Sequence, residues 1–314
     1  MIVYILSCMA VFFLSWSIGS KVAVNRITDE KLGDLKVKWN EKIGTVYEDV
    51  SYGEKELNRY DLYLPANREK DSYSLIFHIH GGGFNSGDKS EGEILCKFFA
   101  SEGYVAVSAN YSLMDESHSS NLNVMYEELV AALEHAVSGA EEAGYPVTEM
   151  AVTGESAGGC LAMLLAFRYG DSSDIPVRFV FQESGPASFQ PDLWASATEQ
   201  GQVDFVNSMT GRKFTVEDLE SEEYRMAIDE ISPASYIHQD TVPLLLAYGS
   251  NDKIVPPNIK IPLLQALEDQ AAVYEYIEFP NSGHGLLNDP ERLREYHKKM
   301  LEFADRYFEN NKTN

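Results

Sequence analysis

The chain is poor in cysteine. Its three cysteines, Cys8, Cys96 and Cys160, are too few and too scattered among 314 residues to form a disulfide framework. No cysteine–histidine cluster has the spacing of a zinc site, and no glycine-rich phosphate loop ending in Gly-Lys is present. The sequence therefore predicts neither a metal nor a cofactor.

Basic residues are also scarce. The 25 lysines and arginines stand against 49 aspartates and glutamates, which gives a formal net charge of −24. Such a surface repels nucleic acid and offers no general attraction to anionic lipid or to a polyanionic substrate. We therefore expect no nucleic-acid partner, and the acidic surface is most simply a solubilising coat.

Long apolar runs are absent except at the N-terminus, where residues 2–18 are almost wholly apolar. A run of about 17 residues is near the lower limit for a membrane-spanning helix, so a signal peptide, a membrane anchor and a buried helix all stay open. No lysine or arginine precedes it, which weakens the signal-peptide interpretation. Six basic residues between Lys21 and Lys42 favour retention of the following domain in the cytoplasm. We expect residues 1–20 to direct membrane association or export, with a cytoplasmic protein as the alternative.

Apolar residues then recur at helical spacing between positions 22 and 40. They are Val24, Ile27, Leu32, Leu35 and Trp39. This spacing predicts an amphipathic helix within a linker of residues 21–44. The remaining residues, 45–312, form the predicted catalytic domain.

Residues 45–312 alternate between strand and helix patterns. Residues 45–52 and 57–64 predict a hairpin around Gly53. Buried strands are predicted at 75–80, 104–111, 150–153, 177–181, 243–249 and 273–279, and helices at 93–100, 124–143, 160–166, 261–269 and from Pro290 onward. This alternation implies an α/β fold with a mostly parallel central sheet flanked by helices. Residues 187–232 interrupt it and predict a helical cap inserted beside a cleft.

The motif Gly154-Glu155-Ser156-Ala157-Gly158 joins a predicted strand to a predicted helix. A serine on so tight a turn is held in a strained conformation with its hydroxyl exposed above the sheet. Glycines on both sides indicate that the chain passes too close to itself for a Cβ atom. Ser156 is therefore a candidate nucleophile, although the bare motif also occurs in ordinary loops.

A second glycine motif, His80-Gly81-Gly82-Gly83, ends an earlier strand. Residues without side chains allow the N–H groups of Gly82 and Gly83 to point into a cleft and bind an oxyanion. The alternative is a flexible turn. His80 is better suited to bracing this loop than to acid–base chemistry.

Two further loops supply the groups that a serine nucleophile needs. Asp252 follows the strand of residues 243–249, and His284, between two glycines, follows the strand of residues 273–279. An imidazole can remove the serine proton near neutral pH, and a buried carboxylate orients the imidazole. Because active sites of parallel sheets collect at the carboxyl ends of the strands, Ser156, Asp252 and His284 are predicted to converge.

The chain at this point resembles the α/β-hydrolase superfamily, and most of all its hormone-sensitive-lipase-like and acetyl- and feruloyl-esterase-like carboxylesterases. The resemblance covers about residues 45–310. The matching segments are His80-Gly81-Gly82-Gly83-Phe84, Asn110-Tyr111-Ser112-Leu113, Gly154-Glu155-Ser156-Ala157-Gly158-Gly159, Ser232-Pro233, Gly249-Ser250-Asn251-Asp252 with Val255-Pro256, and Gly283-His284-Gly285.

This resemblance implies an α/β-hydrolase fold and a division of roles among the site residues. Ser156 would be the nucleophile, His284 the base and Asp252 the orienting acid. The N–H groups of Gly82, Gly83 and Ala157 would form the oxyanion hole. Lipase-like members often have aspartate where this chain has Glu155, and an aromatic pair where Phe84 is followed by Asn85, which leaves the subfamily open.

We expect a serine carboxylesterase that hydrolyses small esters with short acyl groups, such as acetyl esters, through an acyl-enzyme. An amidase, formamidase or peptidase using the same three residues is the alternative within enzymes. A non-catalytic binding protein on the same fold is the alternative from another class.

Overall fold

A mixed β-sheet organises the protein. The computed structural model describes residues 32–114, 120–169, 175–194 and 198–310. In these residues the sheet has eight strands in the order β1-β2-β4-β3-β5-β6-β7-β8. The strands are β1 Gly44–Ser51, β2 Arg59–Pro65, β3 Tyr73–Ile79, β4 Val105–Ala109, β5 Val147–Glu155, β6 Val177–Glu183, β7 Leu244–Gly249 and β8 Tyr274–Phe279.

The strand directions agree with the prediction. Strands β1 and β2 form the predicted antiparallel hairpin, and β2 also pairs antiparallel with β4. Strands β3 to β8 are mutually parallel across every pairing. Their carboxyl ends therefore lie along one edge of the sheet, where the candidate site residues follow them.

Helices cover both faces of the sheet. They are α1 Glu93–Ser101, α2 Leu122–Glu142, α3 Ala157–Tyr169, α4 Glu199–Thr210, α5 Glu222–Ile231, α6 Ile261–Asp269 and α7 Pro290–Tyr307. Alternate residues of strand β3 pack in two different hydrophobic clusters. Leu75 and Phe77 belong to the cluster that includes residues of α2 and α3, and Ile76 belongs to the cluster that includes residues of α1 and α7. Burial on both faces explains why these strands are nearly continuous apolar runs.

The predicted helix over residues 22–40 is wrong in its described part. Only a short 3₁₀ turn, Gly33–Leu35, is present, and residues 36–40 have no helix. Leu35 is buried, and the ring of Trp39 packs edge-on against Tyr63, 6.4 Å between centroids. A Cβ on Gly44 would lie 2.5 Å from the Trp39 ring. The apolar residues thus serve as separate anchors on the sheet, and not as one face of a helix.

Residues 1–31 lie outside the described residues, and with them the predicted N-terminal apolar segment. Membrane association or export through residues 2–18 therefore stays a prediction. Within the part of the chain that the structure describes, no helix has the length and apolar character needed to cross a membrane.

The insertion between β6 and β7 is helical, as predicted for residues 187–232. It contains the 3₁₀ turns Pro191–Trp194 and Val216–Asp218 together with α4 and α5. Buried residues of both helices, Val206 and Ile228 among them, join the larger hydrophobic core. The insertion is therefore packed onto the sheet layer and shares its core.

Candidate active site

The turn after β5 holds Ser156 in a strained conformation. Ser156 has φ of +55°, in the left-handed region, and α3 begins at the next residue. A non-glycine residue there costs on the order of 1–3 kcal/mol, which the surrounding packing must offset. A Cβ on Gly154 would lie 2.5 Å from the Ile79 carbonyl oxygen, and one on Gly158 only 2.0 Å from it. The predicted need for glycine at both positions is confirmed.

The structure brings the three predicted side chains together. His284 Nε2 lies 2.8 Å from Ser156 Oγ, and His284 Nδ1 lies 2.7 Å from Asp252 Oδ2. The other oxygen of Asp252 accepts the N–H groups of Ile254 and Val255, at 2.8 and 3.0 Å. Because Asp252 can only accept when ionised, it fixes the proton of His284 on Nδ1 and leaves Nε2 free to receive the serine proton.

A second strained serine, Ser184, links the nucleophile strand to the histidine loop. Ser184 follows β6 with φ of +52°, and its hydroxyl donates to the His284 carbonyl oxygen at 3.3 Å. The residue before it, Glu183, accepts the N–H of Ser156 through its carbonyl oxygen at 2.8 Å. The ends of β5, β6 and the loop after β8 are thereby tied together. Sequence reasoning missed Ser184, because nothing in the sequence marks it.

The loop after β3 contains two glycines whose backbone N–H groups are not used within the loop. Gly82 and Gly83 have φ of +108° and +62°. The Gly82 carbonyl oxygen accepts the N–H groups of Asn85 and Ser86 and also the Ser86 hydroxyl, which closes the turn. Among the described residues, the N–H groups of Gly82, Gly83 and Ala157 have no hydrogen-bond acceptor. Three such donors at a helix N-terminus and a tight loop suit a developing negative charge.

His80 braces this loop, as its position suggested. Its ring is buried and stacks on Tyr111, 4.4 Å between centroids, and its Nδ1 lies 2.8 Å from the Gly81 carbonyl oxygen. The Tyr111 hydroxyl donates to the His80 carbonyl oxygen at 2.9 Å. Burial lowers the pKa of His80 to about 4, so that the ring stays neutral near pH 7.

A buried polar network beside the nucleophile was not foreseen. His78 on β3 contacts the Glu155 carboxylate and the Ser108 hydroxyl. Burial, and next the charge of Glu155, raise the pKa of nearby Glu91 to about 7. His78 was visible in the sequence only as a neighbour of His80, since its partners come from two other strands.

Glu91→Gln should stabilise the fold above neutral pH and have little effect near pH 5. The pKa of Glu91 in the folded protein, about 7, lies above its ordinary 4.5. The folded state therefore binds more protons between these values, and the free energy of unfolding falls as pH rises through them. A neutral amide avoids that loss and can still accept the Asp88 N–H as Glu91 does. We expect a gain of about 1–2 kcal/mol near pH 8, discounted for partial solvent exposure.

Urea unfolding of the wild type and Glu91→Gln at about pH 5 and pH 8 measures this difference. An equal change in unfolding free energy at both pH values would contradict the assignment of the raised pKa to Glu91.

Aromatic side chains of the insertion face the glycine loop. Phe84, which follows the three glycines, is almost fully buried, and its ring centroid lies 6.2 Å from that of Phe189. Phe189 stacks on Trp194 at 5.7 Å, and Phe205 lies within 6.1 Å of both. These ring contacts form a continuous apolar cluster that joins the insertion to the glycine loop.

The fold and the arrangement of Ser156, His284 and Asp252 define the class: the chain is an α/β-hydrolase. It belongs to the BD-FAE family, an α/β-hydrolase esterase domain, whose family model matches residues 60–267.

Three curated relatives, named as a deacetylase, an esterase and a formamidase, match part of the chain. Arylacetamide deacetylase of Bos taurus is 29% identical over 126 residues, which cover 38% of this chain and 31% of that protein. Esterase LipQ of Mycobacterium tuberculosis is 26% identical over 219 residues, 67% of this chain and 49% of that protein. Kynurenine formamidase of Danio rerio is 26% identical over 147 residues, 46% and 47% of the two chains. The matches thus span less than half the length of each relative.

Solved structures share the fold. A truncated carbohydrate esterase from gut microbiota has a TM-score of 0.66 at 19% identity and covers 85% of this chain and 98% of its own. Esterase B from Lactobacillus rhamnosis has a TM-score of 0.67 at 18% identity and covers 93% and 94%. A bacterial heroin esterase has a TM-score of 0.62 at 20% identity and covers 88% and 89%. At such low identity these likenesses establish the fold alone.

Proposed function

We propose that this protein is a serine carboxylesterase that hydrolyses small esters through an acyl-enzyme formed on Ser156. The observation that carries the proposal is the pair of short contacts of His284, 2.8 Å to the Ser156 hydroxyl and 2.7 Å to the Asp252 carboxylate. A serine hydroxyl is a weak nucleophile until a base accepts its proton, and this geometry supplies that base.

In the proposed reaction, Ser156 Oγ attacks the ester carbonyl carbon while His284 Nε2 takes the serine proton. Asp252 stabilises the imidazolium that forms. The carbonyl oxygen becomes an oxyanion and accepts hydrogen bonds from the N–H groups of Gly82, Gly83 and Ala157. When the intermediate collapses, His284 returns the proton to the leaving alcohol. Water then repeats the sequence at the acyl-enzyme, releasing the acid and restoring Ser156.

The surroundings of the site support a small, uncharged substrate. The buried rings of Phe84 and Phe189 pack together next to the glycine loop, and we expect bulky rings at this place to favour a short acyl group. The net charge of −24 disfavours anionic esters. Since a carbohydrate esterase is among the proteins of similar fold, acetyl esters of sugars are one substrate class that we propose.

An amidase or formamidase is the second candidate, because kynurenine formamidase and arylacetamide deacetylase are among the relatives. The same nucleophile and base could cleave a formamide. A non-catalytic binding protein is the remaining alternative, and the complete set of contacts around His284 speaks against it.

Steady-state rates on a substrate panel test these candidates. We expect p-nitrophenyl acetate and butyrate to be hydrolysed faster than the octanoate, and acetylated xylan to release acetate. A higher kcat/KM for N-formylkynurenine than for every ester would favour the formamidase. An alkyl phosphonate should add to the Ser156 peptide and abolish turnover. Labelling elsewhere, or no turnover of any member, would overturn the proposal.

A further inference from the structure

One carboxylate closes the loop that carries His284. This histidine loop spans residues 280–289, between β8 and α7. Its last residue, Asp289, is buried and accepts three hydrogen bonds from the start of the loop. The donors are the Asn281 N–H at 3.0 Å, the Asn281 side-chain amide at 2.8 Å and the Ser282 hydroxyl at 2.6 Å. The two ends of the loop are thereby held together.

The Asp289 side chain is committed to this loop. Although Asp289 directly precedes the first residue of α7, its side chain does not cap the helix. Burial raises its pKa, but the hydrogen bonds from Ser282 and Asn281 outweigh burial and hold the pKa below its ordinary value. Asp289 is therefore ionised near neutral pH. Hydrogen bonds to a charged acceptor are roughly twice as strong as those between neutral groups, which makes this closure firm.

Ser282 connects the closure to the loop of Asp252. Its hydroxyl, which donates to Asp289, also accepts the Asn288 N–H at 3.0 Å. Its carbonyl oxygen accepts the N–H of Asn251, the neighbour of Asp252, at 3.0 Å. Ser282 is fully buried, so that water does not compete for these hydrogen bonds. A shift of Ser282 would therefore change the distance between the two loops.

His284 lies between Ser282 and a second buried anchor. Leu286, two residues after His284, is buried in the cluster that includes residues of α1 and α7, and its N–H donates to the Gly283 carbonyl oxygen at 3.2 Å. The segment between the anchors rests on Gly249 at the end of β7, where a Cβ would lie only 2.4 Å from the Gly283 carbonyl oxygen. The His284 side chain is 20% exposed. Its place is thus set by a short backbone segment that is held at both ends.

We propose that Asp289 is a positioning residue, which through Ser282 holds His284 at its distances from the nucleophile and from the orienting carboxylate. This role rests on the proposed esterase function. Asp289 acts through the backbone of the histidine loop, because its partners are Asn281 and Ser282. Such positioning matters because a displacement of about 1 Å in a reacting group can lower a rate about 10²-fold.

Asp289→Ala should lower kcat for p-nitrophenyl acetate about ten- to hundredfold, because the opened histidine loop no longer holds His284 within reach of both partners. KM should change less than about threefold, since the same imidazole serves formation and hydrolysis of the acyl-enzyme and both steps slow together. Asp289→Asn is the conservative variant. Its amide oxygen can take the place of Oδ2, which accepts both the Asn281 N–H and the Ser282 hydroxyl, so that kcat should stay within about threefold of the wild type.

Glu149→Ala is the matched control, because Glu149 is also a buried carboxylate that ties two segments together. It accepts two backbone N–H groups that follow α7, both at 2.9 Å, and the Ser74 hydroxyl at 2.8 Å. It lies near the amino end of β5, about 20 Å from Ser156 at roughly 3.3 Å per residue. We expect Glu149→Ala to lower the melting temperature at least as much as Asp289→Ala does, and to keep kcat within about twofold of the wild type.

Melting temperatures and circular dichroism show which variants are folded. A loss of kcat in Glu149→Ala equal to that in Asp289→Ala would refute the positioning role, as would a wild-type kcat in folded Asp289→Ala. If Asp289→Ala does not fold, Ser282→Ala takes its place, because it removes the hydroxyl that joins the loop to Asp289. Its kcat should fall at least about fivefold, and a wild-type kcat would again refute the role.

The proton between His284 Nδ1 and Asp252 gives a readout that needs no activity. In a hydrogen bond of 2.7 Å to a carboxylate, this proton resonates at the low-field end of the proton NMR spectrum. We expect its signal in inactive Ser156→Ala protein, and we expect added Asp289→Ala, but not added Glu149→Ala, to broaden or remove it. A signal unchanged by Asp289→Ala would refute the positioning role even in an active esterase. A signal that depends on Asp289, in a protein whose wild type hydrolyses no ester, would instead refute the proposed function.

Discussion

Ser156→Ala should lower kcat for p-nitrophenyl acetate by a factor on the order of 10⁵ to 10⁶, and His284→Ala should have nearly the same effect. The reason is that the hydroxyl and the imidazole act as one unit. Without Ser156 no acyl-enzyme forms, and without His284 the serine hydroxyl, 2.8 Å away in the wild type, keeps its proton. The rate that remains comes from the N–H groups that stabilise the oxyanion and from substrate binding.

The double variant Ser156→Ala with His284→Ala distinguishes this mechanism from two independent contributions. We expect its kcat to equal that of either single variant within about threefold, because the second substitution removes a group that already has no partner. Ser138→Ala is a matched control, since this exposed serine donates to the Glu134 carbonyl oxygen within its own helix. Turnover that survives in Ser156→Ala, or losses that add in the double variant, would contradict the assignment.

The elements that the sequence predicts well are those fixed by local chemistry. Gly154 and Gly158 are needed because backbone atoms from β3 approach within the reach of a Cβ, and that requirement leaves a motif in the sequence. The strands of the parallel sheet are continuous apolar runs because helices cover both faces. Ser156, Asp252 and His284 could be chosen together because each follows such a strand, and parallel strands end at one edge.

The features that the sequence did not reveal depend on contacts between distant segments. His78, Ser108 and Glu155 lie on three different strands, and their register decides that they meet. Ser184 acquires its role from the neighbouring Ser156 and from the His284 loop. The predicted helix before β1 failed for a related reason, since Leu35 and Trp39 pack individually on the sheet and no helix face is needed.

The loop that would hold the oxyanion offers two adjacent glycines with different steric surroundings. A Cβ on Gly82 would lie 2.1 Å from the Ser86 carbonyl oxygen, 2.5 Å from its carbonyl carbon and 2.9 Å from the Gly87 nitrogen. These are backbone atoms of the same closed turn and cannot move aside separately. A Cβ on Gly83 would meet only Asn85 Oδ1, at 3.8 Å. Both glycines have positive φ, but the +62° of Gly83 lies in the left-handed region that alanine can adopt, whereas the +108° of Gly82 lies beyond it, so that backbone conformation and available space both separate them.

Gly82→Ala should therefore lower kcat by about 10² to 10³, the usual effect of losing one oxyanion donor, because the turn must open and its N–H groups move. Gly83→Ala should cost no more than about tenfold in kcat, since alanine in the left-handed region costs only about 1–2 kcal/mol and nothing blocks its Cβ. KM should change little in either variant, because the donors act on the charge that develops in the transition state. Melting temperatures and circular dichroism of both variants verify that each is folded. Equal losses of kcat in two folded variants would mean that the turn closed by Gly82 does not position the oxyanion donors.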